Sequence, residues 1–179
     1  MQKAIFLDRD GVINSSIIVD GKPYPPSNLE ELEILPGVEE ALSMFRENGY
    51  LCVVITNQPD VARGKVSLES VEELNNHLRE NLALDDIYSC YHDDKDQCEC
   101  RKPKPGALLS ASHMYNVNLN DSYMIGDRWR DIEAGQNAGC KTIFIDYNYA
   151  EKRPIGQTYT TGSLLEAVKL ILGGKNEKN

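Results

Sequence analysis

Two carboxylates stand one residue apart in Asp8-Arg9-Asp10-Gly11, directly after the apolar run Ala4-Ile5-Phe6-Leu7. A carboxylate at the end of a buried strand can attack phosphorus if a cation offsets the repulsion between anions, and a neighbouring carboxyl can carry the proton of the leaving oxygen. The pattern suggests Asp8 as nucleophile and Asp10 as general acid and base. A solvated Asp-X-Asp turn is the plain alternative, and the position at a strand end weighs against it. Thr56-Asn57-Gln58 follows a second apolar run, YLCVVIT. Its hydroxyl, amides and backbone N–H groups suit either phosphate oxygens or the cap of a helix.

Arg101-Lys102-Pro103 supplies two cations. Lys102 suits the charge that develops on a transferring phosphoryl group and the carboxylate of Asp8, and Arg101 suits bidentate contact with phosphate; an ordinary basic surface pair is the alternative. Gly126-Asp127-Arg128 ends another apolar run. Asp127 can thus complete an oxygen-rich magnesium (Mg2+) shell with Asp8 and the backbone carbonyl of Asp10. Asp131 follows one helical turn later, where it either orients this cluster or caps the helix.

Cys90-X-His92 and Cys98-X-Cys100 form two close ligand pairs. Three thiols and an imidazole match tetrahedral zinc (Zn2+) with no open position, which predicts a structural zinc loop over 90–100 that holds Arg101 and Lys102 in place. The polar stretch Asp93-Asp94-Lys95-Asp96-Gln97 between the pairs could not form a core of its own. Cys52 and Cys140 read as inert packing residues.

These residues need a scaffold that brings distant strand ends together. Apolar runs at 3–8, 50–56, 87–91, 122–126 and 141–146 read as buried parallel strands. Helical patterns lie between or after them: 38–48 closing at Gly49, 68–82 with Leu68, Val71, Leu74, Leu78 and Leu82 on one face, 106–115, 129–138 closing at Gly139, and 163–172. The alternation predicts an α/β, three-layer Rossmann-like parallel sheet with helices on both faces, whose ligands bind beyond the carboxyl ends of the strands. Residues 14–33, with Pro23, Pro25 and Pro26, are too irregular for a core element and are expected to lie over that edge as a flap. One domain over 1–174 is expected, with 175–179 a frayed tail.

In order along the chain, FLDRDGVIN, VVITNQ, CRKPKPG and MIGDRWRDIEAG resemble the haloacid dehalogenase superfamily, and the Cys/His quartet before Arg-Lys-Pro is similar to its capless, zinc-containing branch. The resemblance implies a phosphatase without a large cap domain: Asp8 nucleophile, Asp10 acid and base, Thr56 and Lys102 on phosphate, Arg101 on substrate, Asp127 on magnesium and the quartet on zinc. That branch contains enzymes of heptose bisphosphates and of histidinol phosphate. Val61-Ala62-Arg63-Gly64-Lys65 resembles the former, with Arg63 placed to meet a second phosphate. The short span from His92 to Cys98 resembles the latter, for which Asp60, Tyr24 and Asp93-Asp94 offer partners to an ammonium or imidazole. A sugar bisphosphate met by Arg63, Arg101 and Arg128, beside Asn57 and Gln58, is the preferred expectation. A zinc-stapled module that only binds such a metabolite is a third reading, opposed by the retention of both Asp8 and Asp10.

Composition narrows the partners. A formal net charge of −9 argues against a nucleic-acid backbone as ligand. No apolar run approaches the roughly 20 residues of a membrane span, and the chain opens on a strand-like segment with no leader pattern before it. A cytoplasmic monomer acting on a small phosphorylated metabolite is therefore expected.

Overall fold

The apolar run after Gln2 forms β1 (Lys3–Leu7), and its residues from Ala4 to Leu7 are buried on both faces of a sheet. Ile5 and Leu7 pack into one core cluster, Ala4 and Phe6 into another on the opposite face, as the period of two requires. The computed structural model describes residues 1–173. After β1 come β2 (Ile17–Val19), β3 (Lys22–Tyr24), β4 (Tyr50–Asn57), β5 (Asp86–Cys90), β6 (Tyr123–Gly126), β7 (Lys141–Ile145) and β8 (Tyr159–Thr161). Six of these form one sheet in the order β5-β4-β1-β6-β7-β8, with every neighbouring pair parallel. β1 sits centrally, with Phe6 beside Val53 on one side and Met124 on the other.

Five helices cover the sheet: α1 (Val38–Glu47), α2 (Leu68–Asn81), α3 (Gly106–Tyr115), α4 (Trp129–Ala138) and α5 (Leu164–Gly173). Phe45 of α1, Leu78 of α2 and Val168 of α5 join the cluster of Ile5 and Leu7. Leu108 of α3 and Ala134 of α4 join that of Phe6 and Val53. The helix ends follow local chemistry. Ser67 caps α2 by accepting the N–H of Ser70 at 3.1 Å, and α4 stops where Gly139 takes φ 88°.

Three features differ from the sequence reading. Leu68, expected on the apolar face of α2, is 44% exposed, because that face meets the core only from Val71 onward. A sixth sheet strand, β8, pairs with β7 alone among the described residues; it has three residues, two of them exposed, and so shows no apolar run. The irregular 14–33 segment contains an antiparallel hairpin of β2 and β3, turned by Asp20 and Gly21, both at positive φ. Residue 174 and the expected tail 175–179 lie outside the described residues. Among the described residues no helix is long and apolar enough to cross a membrane.

Candidate active site

Because β1 is flanked by β4 and β6, the carboxyl ends of these three strands deliver Asp8, Thr56-Asn57 and Asp127 to one edge of the sheet. The chain reverses its direction of travel across the sheet here, the usual place for a ligand in such folds. Lys102 joins them from the segment before α3. Its ammonium lies 2.8 Å from Asp8 Oδ1, 2.7 Å from Asp131 Oδ1 and 2.6 Å from the carbonyl of Ile55. Three oxygens use its three donors, which lets a lysine only 2% exposed keep its charge. Asn57 fixes the Lys102 backbone from both sides, donating to its carbonyl at 3.0 Å and accepting from its N–H at 3.1 Å. Asp131 does both tasks left open by the sequence. While Oδ1 holds Lys102, Oδ2 accepts the Arg128 N–H at 3.0 Å at the start of α4. Gly126 makes room for it, since a Cβ there would meet that of Asp131 at 2.1 Å.

Asp10 is held beside Asp8 by Asn14 at 3.0 Å, Gln58 at 2.8 Å and the Arg9 Nε at 3.1 Å. Arg9 is fully buried and anchored at its other end to Asn75 of α2 at 2.9 Å. Asn75 escaped the sequence reading; an asparagine within the buried stripe of α2 was the available signal. Thr56 accepts from Gln58 at 2.9 Å. Both side chains are buried beneath the cleft, so Gln58, expected on substrate, reaches Asp10 and Thr56 instead.

Carboxylate oxygens of Asp8, Asp127 and Asp131 lie within 4.8 Å of one another. Burial, then the charge of Asp131, push Asp8 up to about 6 against the pull of Lys102. Burial and the charge of Asp8 raise Asp127 well above the usual carboxylate range. Asp127 accepts from the Tyr149 hydroxyl at 2.7 Å through Oδ2, whereas its buried Oδ1 has no partner. A divalent cation would relieve the repulsion and satisfy the orphaned oxygen, so this donor set fits magnesium. The carboxylate of Asp10 is engaged by its own donors, consistent with only its backbone carbonyl being offered to an ion.

A cleft of about 300 Å³ opens above these groups, bounded by Lys22 and Tyr24 of β3, Arg63 and Lys65 after β4, and Arg101, Arg128 and Arg130. The arginines are paired: Arg63 with Asp93 at 2.7 and 3.0 Å and with Asp60 at 3.3 Å, Arg101 with Asp94 at 2.8 Å, Arg130 with Asp94 at 3.4 Å, Arg128 with Glu151 at 3.1 Å. Lys22, Lys65 and Arg130 were given no role by the sequence, although Lys65 and Arg130 stand within quoted motifs; only the fold brings all three to the cleft.

The quartet converges as its spacing predicts. Cys100 Sγ lies 3.1 Å from Cys90 Sγ, 3.5 Å from Cys98 Sγ and 3.4 Å from His92 Nδ1, and Cys90 Sγ lies 3.6 Å from Cys98 Sγ and 3.7 Å from His92 Nδ1. These are far beyond the roughly 2 Å of a disulfide. They approach the edges, near about 3.8 Å, of a tetrahedron of thiolates around zinc, so the donors fit that ion. The loop runs straight into Arg101 and Lys102.

Comparison with known proteins agrees with this geometry. Residues 26–139 match the family of haloacid dehalogenase-like hydrolases. The D-glycero-β-D-manno-heptose-1,7-bisphosphate 7-phosphatase of Helicobacter pylori strain 26695 is 41% identical over 149 residues, covering 80% of this chain and 83% of that protein. The enzyme of the same name from Pasteurella multocida is 36% identical over 194 residues, covering 98% and 100%. The crystal structure of D,D-heptose 1,7-bisphosphate phosphatase from B. bronchiseptica, complexed with magnesium and phosphate, superposes with a TM-score of 0.83 at 28% identity, over 96% of this chain and 99% of that one. With the motifs, the sheet and these relatives in agreement, the chain belongs to the haloacid dehalogenase-like hydrolases.

Proposed function

We propose that the chain is a phosphatase that removes the 7-phosphate of D-glycero-D-manno-heptose 1,7-bisphosphate through an aspartyl-phosphate on Asp8. The observation that carries this reading is Asp8 at the cleft, paired with buried Lys102 at 2.8 Å and flanked by an Asp10 that three side chains hold in place. Lys102 and the Arg9 N–H both donate to Asp8 Oδ1, which leaves Oδ2 to attack phosphorus. As that bond forms, the ester P–O bond breaks and the leaving oxygen takes the proton of Asp10. Asp10, now a carboxylate, then accepts a proton from the water that attacks the phosphoenzyme. Inorganic phosphate leaves, Asp8 is restored and Asp10 is again protonated. Lys102 balances the charge of the phosphoryl group in both steps.

Magnesium held by Asp8, Asp127 and the Asp10 carbonyl would supply the positive charge that lets two anions approach; the donor set and the magnesium of the B. bronchiseptica enzyme support it. Zinc in the quartet would be structural. One domain over residues 1–174 carries the activity in this reading, since both core clusters lie on one sheet. The free thiols fit a reducing compartment, the cytoplasm.

Pairing within the cleft favours a bisphosphate over histidinol phosphate. Asp60, Asp93 and Asp94, the acids that would receive an ammonium, are already held by arginines. Lys22 and Lys65 line the cleft with no acidic partner among the described residues and are free to meet a second phosphate, which Arg63, Arg101 and Arg128 would join by exchanging the acids that now hold them. A module that only binds would not need Asp8 and Asp10 both held at the cleft. Replacing the nucleophile separates the readings: Asp8→Asn is expected to lower phosphate release by at least about 10³-fold while the protein stays folded. Near-wild-type release by that variant would rule out the aspartyl-phosphate.

A further inference from the structure

We infer that Tyr149 is a positioning residue for the metal site: its hydroxyl holds Asp127 by one carboxylate oxygen and so keeps the other for the cation. The inference rests on the reading of the chain as a magnesium-dependent phosphatase. Tyr149 lies outside the four motifs, in the segment between β7 and β8. Its hydroxyl donates to Asp127 Oδ2 at 2.7 Å. Oδ1 of the same carboxylate is buried and has no hydrogen-bond partner. A carboxylate has two equivalent oxygens, and a single fixed donor removes that equivalence.

The donor is fixed because its segment is held on both sides. Asp146 accepts the N–H of Asn148 at 2.8 Å, and Asn148 turns the chain with φ 57°. Beyond Tyr149, the N–H of Ala150 donates to the carbonyl of Gly21 at 2.9 Å, and Glu151 grips Arg128. Gly11 also adjoins this oxygen: a Cβ there would come within 2.0 Å of Asp127 Oδ2. Oδ2 therefore has a glycine that leaves it space and a phenol that holds it. With Asp127 only 1% exposed, bulk water has little access to replace the hydroxyl.

Tyr149→Phe keeps the ring and removes only the donor. Titrating the zinc-loaded protein with magnesium chloride alone, by calorimetry or by the rise in melting temperature, is expected to show a magnesium Kd raised by about tenfold or more, the scale of lost outer-shell partners. In turnover, the magnesium concentration for half-maximal rate should rise by more than kcat falls. Asp127→Asn serves as reference and should abolish magnesium binding. If Tyr149→Phe binds magnesium as tightly as wild type while Asp127→Asn does not, the inference is wrong and the metal reading stands; a lower metal-free melting temperature beside that unchanged affinity would make Tyr149 a packing residue only. If Asp127→Asn also binds magnesium normally, the metal reading falls and the inference with it.

Discussion

Three carboxylates whose oxygens lie within 4.8 Å of one another repel, and Lys102 offsets only part of that repulsion at Asp8. Asp8 is raised from 3.8 to about 6, chiefly by burial. A raised acid binds its proton more tightly in the folded chain, so its contribution to stability is complete below the unfolded value and is lost as pH rises through about 6. The magnesium-free protein should therefore lose melting temperature between about pH 4 and about pH 7, with a flatter profile in Asp8→Asn. Magnesium, which needs the ionised carboxylates, should raise the melting temperature more at about pH 7.5 than at about pH 5. Equal stabilisation at both values would mean that the ion does not bind here. Asp8, Asp10, Lys102 and Asp127 were legible in the sequence because each follows an apolar run or stands in a short basic motif. Asn75 and Tyr149 were not, because each acts through a partner 66 or 22 positions away that only the fold brings near.

At the scale of elements, the Cys/His loop does the work of a small core. Its polar residues bury little, yet the backbone from Cys90 to Lys102 must hold Arg101 and Lys102 to the ends of β4 and β1. A closed metal site would supply that rigidity, and the distances among the four donor atoms fit one. The protein should contain about one zinc per chain, and Cys98→Ser or Cys100→Ser should lose it, with a fall in melting temperature and in turnover. Metal analysis finding no zinc, or a disulfide among these thiols, would contradict this. Four of the strands named in advance are apolar runs that need no partner to be recognised, whereas β5, with the sequence DIYSC, is half-buried and carried the weaker signal. β8 and the β2–β3 hairpin are short and largely exposed, so pairing, not composition, makes them strands. Asp20-Gly21, a dipeptide suited to a two-residue hairpin turn, was the one local sign of the hairpin.

Across the whole molecule, a parallel sheet with β1 at its centre gathers residues 8, 56, 102 and 127 at one edge, and short segments around that edge decide what enters. The hairpin contributes Lys22 and Tyr24, the segment after β4 contributes Arg63 and Lys65, and the Cys/His loop positions Arg101. The arginine–aspartate pairs at the rim hold this shape and occupy the acids that an amine substrate would need. Arg63, paired with both Asp93 and Asp60, can turn to the second phosphate only by exchanging those partners. Arg63→Ala should thus lower kcat/KM for the bisphosphate by roughly 1 to 3 kcal/mol, the scale of a charge-assisted hydrogen bond, and spare a monophosphate. The central claim is tested most directly by measuring kcat/KM for D-glycero-D-manno-heptose 1,7-bisphosphate and for histidinol phosphate with magnesium present. The bisphosphate is predicted to have the higher value, and faster turnover of histidinol phosphate would contradict the account.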